Sequence, residues 1–242
     1  MKKLVLVLKL LIFVGVIAVV ILAVVKMSAR KCTDISIKID SENEYPAISD
    51  EYLISTLLQA PFPIVGEKLK DIHTDSISKI IKLNPFIEEI EKIRFERTTL
   101  VITVKLKEIL MRVFPEKGEQ FFIDKKGEIL PFSPLVKEKT IVANGHIANN
   151  KTQLQKLFLL ATAIDNHEFS KSQFWQIFVN AHHEFELIPT IGDQIVLVGD
   201  ETNIEQKLFN LEKVFSNILI FKGLNEYSYL DARFQNRIIS KK

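Results

Sequence analysis

The sequence predicts an α+β protein built from an N-terminal transmembrane helix, a β-α-α-β-β domain and then a mixed β-sheet domain with flanking helices. Three observations lead there. An apolar run framed by cations opens the chain. Two segments of helical periodicity then lie between alternating strands, and from about residue 121 onward short alternating segments recur between turn residues.

Residues 1–31 carry six cations (Lys2, Lys3, Lys9, Lys26, Arg30 and Lys31) and no acid, around an apolar run from Leu10 to Val25 broken only by Gly15. Extended back to Leu4, a helix of about 22 residues reaches roughly 33 Å, which matches a hydrocarbon core of about 30 Å. Lys9 then sits near an interface, where its stem stays in lipid while the ammonium reaches the headgroups. A cleavable signal peptide starts the same way. Here, however, the run exceeds the usual length of about 7 to 15 residues, basic residues follow it at once, and Met27-Ser28-Ala29 is a poor small-x-small cleavage site. The expectation is an uncleaved anchor over residues 10–27 behind a tail at 1–9. Cations flank the run almost equally, so the charge rule leaves its orientation open. A short cytoplasmic tail is the economical choice, because the chain beyond the span is large enough to be the working part.

Setting those six cations aside from the 32 leaves 26 Lys and Arg against 30 Asp and Glu, a formal charge of −4 beyond residue 31. A mildly acidic domain with interspersed charge lacks the clustered cationic face that nucleic acid requires. Cys32 is the single cysteine. It can make no intramolecular bridge and no cysteine-based zinc site within one chain. No Leu-x-x-Cys lipobox precedes it, so it reads as an inert thiol. His182-His183-Glu184 is the densest histidine group, but adjacent histidines on a strand point to opposite faces and no helical His-x-x-x-His exists. No Gly-x-Ser-x-Gly, phosphate-binding loop or dinucleotide fingerprint occurs. The reading is a non-enzyme without cofactor, metal or small-molecule substrate, and Asn150-Lys151-Thr152 is taken as loop rather than as a glycosylation site.

Asp34 to Ile39 alternates as a strand, Glu42 to Pro46 reads as a turn, and Ser49 caps a helix with Leu53, Ile54, Leu57 and Leu58 on its apolar side. Pro61 and Pro63 end it in a connector that runs through Gly66. A second helix begins at Thr74, aligns Ile77, Ile80 and Ile81, and stops where Pro85 disfavours helical geometry at Asn84. Strands follow at Ile87 to Glu96 and Thr99 to Glu108. Asp124 and Gly127 bracket a hairpin between Phe121 and Leu130. Thr152 can cap a helix carrying Leu154, Leu157, Phe158 and Ala161. Three strands come next, at Gln173 to Val179, His183 to Ile188 and Gln194 to Val198. Asn203 then caps a helix through Ile204, Leu208, Leu211 and Phe215, and a last strand runs from Tyr227 to about Ile239. In that strand Tyr227, Tyr229 and Phe234 interleave with Asp231, Arg233 and Arg237, too polar on both faces for a central strand. It reads as an edge, open to β-addition by an extended peptide or else blunted by charge against aggregation.

Several short motifs, in order, resemble the FtsQ/DivIB family of bacterial cell-division proteins. Asn84-Pro85-Phe86-Ile87 is similar to the family's x-Pro-Trp-Val, and Thr99-Leu100-Val101-Ile102-Thr103-Val104 to its Thr-Leu-x-Ile-x-Val strand. Ile123-Asp124-x-x-Gly127 resembles its Ile-Asp-x-x-Gly hairpin, and Tyr229-Leu230-Asp231-Ala232-Arg233-Phe234 its closing Val-Asp-Leu-Arg-Tyr strand. Lys107-Glu108-Ile109-Leu110 departs from the usual Glu-Arg-x-Pro, and Phe86 replaces the commoner Trp. The resemblance implies a POTRA-like domain over 33–112 and a β domain over 113–242. It also implies a single-pass inner-membrane scaffold with its C-terminal domain in the periplasm, which recruits FtsB-like and FtsL-like division proteins and other divisome members towards septal peptidoglycan synthesis. The partner-binding set it implies is Tyr229, Asp231, Arg233, Phe234, Gln235, Asn236, Arg237 and Ile238, with Phe234 as the anchor of an FtsB segment. A POTRA-bearing translocation or outer-membrane assembly factor would share the first domain. Such factors carry several repeats or a long series of barrel strands, and neither is visible here.

Alkaline phosphatase fused after Lys242 is expected to be active. Fluorescence from a cytoplasmic reporter at that position, with no phosphatase activity, would reverse the orientation.

Overall fold

The structure, a computed structural model, describes residues 12–21, 29–40, 47–136, 139–223, 225–234 and 237–242. Residues 12–21 are helical and exposed. The rest of the expected span at 10–27, the tail at 1–9 and the turn at Glu42 to Pro46 lie outside the described residues. Among the described residues no helix is long and apolar enough to cross a membrane. The chain divides into two compact units, Met1–Leu106 and Lys107–Lys242.

In the first unit β3 (Thr99–Leu106) is the middle strand. It runs parallel to β1 (Asp34–Asp40), with Ile37 opposite Ile102, and antiparallel to β2 (Ile87–Glu96), with Phe95 opposite Leu100. Two helices cover this sheet. α1 (Asp50–Leu58) packs on β1, while α2 (Thr74–Lys82) packs on β2 and on α1. Ser49 caps α1 as expected, its side chain accepting a hydrogen bond from the Tyr52 N–H, and Asp50 and Glu51 in the first turn suit the helix dipole. Leu53 and Leu57 are buried, but Leu58, expected on the same stripe, is exposed. After α2 the Asn84 side chain accepts from the Phe86 N–H at 3.0 Å, which turns the chain into β2.

The second unit starts earlier than the sequence suggested. β4 (Ile109–Val113) pairs with β5 (Phe121–Asp124) and β7 (Ile141–Gly145), so the boundary expected at Arg112 falls after Leu106. Among the described residues its sheet has nine strands. With β6 (Ile129–Pro131), β8 (Phe174–Val179), β9 (Phe185–Pro189), β10 (Ile195–Gly199), β11 (Tyr229–Asp231) and β12 (Ile239–Lys241), the order is β12-β11-β10-β9-β8-β7-β4-β5-β6. Neither β4 nor β7 was expected as a strand. The β5–β6 hairpin matches expectation and shows why Asp and Gly stand in it. Asp124 Oδ1 accepts from the N–H groups of Lys126 and Glu128, and Gly127 takes the positive φ of 83° that the turn requires.

Parallel neighbours need a crossover, and for two pairs in this sheet helices provide it. α3 (Lys151–Asn166) and α4 (Glu168–Gln173) join β7 to β8, and α5 (Ile204–Val214) joins β10 to β11. Asn150, not Thr152, caps α3, accepting from the Gln153 N–H, so the segment expected as loop is a helix start. Its residues Leu154, Leu157, Leu160, Ala161 and Ile164 recur at helical spacing and are buried. Asn203 does stand before α5, but in a left-handed conformation and without a side-chain capping bond. Leu208, Leu211 and Phe215 enter the core with Ile177, Leu187 and Leu230. A π turn at Phe215–Leu219 keeps both its end residues buried before a last helical turn, Ile220–Lys222.

Phe86 is only 4% exposed. Phe86→Ala should therefore cost about 3 to 5 kcal/mol, enough to unfold a marginal domain. Urea melting of the first unit's transition in the full chain measures this, and an unshifted midpoint would assign the ring to a partner instead of the core.

Candidate functional site

The single closing strand expected from Tyr227 to about Ile239 is two strands. β11 lies inside the sheet, parallel to β10 with Val196 opposite Leu230, and antiparallel to β12 with Leu230 opposite Ser240. The edge therefore belongs to β12, all three of whose residues are exposed and beyond which no strand lies among the described residues. Ser228 N–H donates to the Lys241 carbonyl at 2.9 Å and Ala232 N–H to the Leu197 carbonyl at 2.8 Å, closing both ends of β11.

Arg233 organises the turn after β11. Its Nε and Nη2 donate to the two carboxylate oxygens of Asp231 at 3.0 and 2.8 Å, and its Nη1 donates to Glu184 at 3.0 Å. The stem of Arg233 runs so close to Gly199 that a Cβ there would lie 2.8 Å from Arg233 Cγ, and φ at Gly199 is 79°. Only glycine fits both conditions. The hydrogen bonds from Arg233 hold the Asp231 carboxyl below the usual carboxylate range, against the opposing effect of its burial. The same bonds, those to Asp231 first and then to Glu184, raise the Arg233 pKa. Burial, followed by the charge of Asp231, pushes the Tyr229 hydroxyl up.

The expected site residues thus separate. Asp231 and Arg233 are clamped to each other, and Ile238 packs against the core. Phe234 remains 38% exposed, with the Arg237 guanidinium 4.9 Å from its ring centre. Tyr229 is half-buried, and Gln235 and Asn236 lie outside the described residues. Ile239, Ser240 and Lys241, which form the edge, were missing from the expected set. Upstream, Phe221 is 83% exposed, and the neighbouring Lys222 ammonium donates to the Tyr227 hydroxyl at 3.2 Å.

A family model described as FtsQ/DivIB, C-terminal related, matches residues 108–241. The chain belongs to the FtsQ/DivIB family. A POTRA-like domain model matches residues 30–105, the β-α-α-β-β unit of the first sheet and its helices. No curated protein matches the chain. The family is one of non-enzymatic cell-division proteins, and the two matched regions identify this chain as a cell-division protein.

Two other clusters carry chemistry-bearing side chains. His167 Nδ1 lies 2.8 Å from Ser170 Oγ and its Nε2 lies 3.5 Å from Glu212, the composition of a nucleophilic triad. Ser170 is fully buried, however, and the His167 side chain caps α4, so this trio offers no hydroxyl to a substrate. His182 and His183 stand in the exposed turn before β9, where Asn180 Oδ1 accepts from the N–H groups of His182 and Glu184. Among the described residues no group of three or more side chains could hold a metal ion.

Because the folded pKa of Asp231 lies below the unfolded value near 3.9, its ion pair stabilises the fold above about pH 4, and that contribution is lost as pH falls through the folded value. The Arg233 side chain is 42% exposed, so Asp231→Ala should cost near the lower end for charged hydrogen bonds, about 1.5 kcal/mol at neutral pH. Urea midpoints measured along a pH series should converge for wild type and variant in acid. An equal gap at every pH would show that packing alone was lost.

Proposed function

We propose that this chain is a non-catalytic, single-pass scaffold of the bacterial divisome in the inner membrane, with both compact units on the periplasmic side. The apolar run flanked by cations at residues 4–25 supports the anchor. β12 would receive an extended segment of an FtsB-like protein by β-addition, with an FtsL-like protein bound through it, linking the chain to septal peptidoglycan synthesis. The observation that carries this reading is the unpaired, exposed β12 edge within the FtsQ/DivIB-matched region. An exposed edge supplies main-chain donors and acceptors for affinity, and alternate side chains supply selectivity.

Phe234, exposed at the start of the turn into β12 and stacked under Arg237, is the anchor in this reading. Titration with the FtsB-like protein from the same genome tests it. Phe234→Ala should lose about 2 kcal/mol, roughly thirtyfold in affinity, and removal of Ile239 to Lys242 should abolish binding while the circular dichroism of the rest is kept. Unchanged affinity after that deletion would sink the β12 site.

A further inference from the structure

The first unit exposes several apolar side chains in the loop that follows α1. Leu58, Pro61, Pro63 and Val65 are exposed around one shallow cleft of about 350 Å³, which half-buried Phe62 and buried Leu57 and Ile64 also line, with Leu58 61% and Val65 45% exposed. Exposed apolar side chains grouped in one loop can enter the headgroup boundary of a bilayer. The place where the loop is tied indicates what it meets. Residues 30–32 and 66–69 form a short antiparallel ladder. The Leu69 N–H donates to the Arg30 carbonyl at 3.0 Å, the Cys32 N–H to the Glu67 carbonyl at 2.8 Å and the Gly66 N–H to the Cys32 carbonyl at 2.7 Å, with Lys31 bridged to Lys68. The loop is therefore bound to the segment that immediately succeeds the apolar run.

Only a short stretch separates Val25, the end of that run, from Arg30. Fully extended, about five residues reach about 18 Å, so the ladder cannot lie farther than that from the end of the hydrocarbon. The charges at this end suit a lipid surface. Arg30, Lys31, Lys68 and Lys70 are all exposed, whereas Glu67 is half-buried with its carboxylate accepting from the Lys68 N–H at 3.2 Å, leaving Asp71 as the exposed acid of the 3-10 turn there. Cations beside exposed apolar side chains are the composition of segments that lie in the interface of an anionic bilayer.

We infer that the Leu58–Val65 loop seats in the headgroup region of the membrane that holds the anchor, with Arg30, Lys31, Lys68 and Lys70 against anionic phosphates. The inference rests on the proposed anchor. The loop gives the first unit a second attachment beside the span, which restricts its swing relative to the bilayer.

The test uses the full chain in vesicles of phosphatidylethanolamine and phosphatidylglycerol carrying brominated acyl chains. Trp175 is the only tryptophan and is exposed. Trp175→Phe therefore leaves the indole introduced by Phe62→Trp, or in a second variant by Val65→Trp, as the sole reporter. Bromines at shallow acyl positions should quench it roughly twofold more than bromines near the chain ends, as expected about 5 to 10 Å into the headgroup boundary. The second variant covers the case in which Phe62 is needed for folding. If the chain resists carbonate extraction but neither indole is quenched, the loop faces water or a protein partner, and the inference falls while the anchor stands. If carbonate extracts the chain, both fall.

Discussion

The parallel pairing of β10 with β11 is the constraint on which the C-terminal end of the large sheet depends. Antiparallel neighbours can be joined by a tight turn, but a parallel pair forces the chain to cross the sheet and return. α5 makes that crossing, and its Leu208 and Leu211, with Phe215 in the turn after it, close the core over it. The returning chain is delivered beside β10, and β12 folds back antiparallel on β11. The exposed edge is thus a result of the crossover, not of anything local to residues 239–241.

Two kinds of interaction hold this end, and their magnitudes assign them different tasks. Leu230 is fully buried between Val196 and Ser240, and burying such a side chain contributes about 1.5 to 3 kcal/mol. The Asp231–Arg233–Glu184 ion pairs are partly solvated, and exposed pairs contribute about 1 kcal/mol or less. Apolar burial therefore keeps β11 in the sheet. The bidentate clamp determines where the strand stops, because Arg233 N–H also donates to Asp231 and bends the backbone at that point.

The elements legible in the sequence are those whose pattern is generated locally. Ser49, the Ile77–Ile81 spacing, the alternation of β3 and the Asp124–Gly127 turn each depend on neighbours a few residues away, and the structure places each where the sequence puts it. β4 and β7 escape such a reading for the opposite reason. Both have strands on either side, and two of their three pairings are parallel, so β4 reads as a nearly continuous apolar run without the alternation that marks a half-exposed strand. The boundary at Leu106 is hidden as well, since Ile109 to Val113 follows the expected strand Thr99 to Glu108 with no turn residue between them. At the candidate site the polar, aromatic character of Tyr229 to Arg237 is visible, but the break between β11 and β12 is not, so the sequence places the edge one strand too early. An Asn between two short β-rich segments was the available signal.

The shortness of β12 limits how a partner could use it. Net contributions of main-chain hydrogen bonds are about 0.5 to 1.5 kcal/mol each, so the few that a strand this short can offer fall well short of the roughly 8 kcal/mol of a micromolar complex, before any cost of association. Side chains must supply the difference. Those within reach of the hairpin are Ile239 on the strand and Phe234 under Arg237 in the preceding turn. Lys241 adds a charge that favours an acidic position opposite it, whereas Lys242 is already paired with Glu226 at 2.8 Å. Two other open strands are less suitable. β6 ends in Pro131, which lacks a donor, and β2 carries two bulges and a run of exposed charge. A segment that added to β12 would therefore have to be recognised by its side chains at least as much as by its backbone, which makes this edge selective for one sequence and a poor template for others.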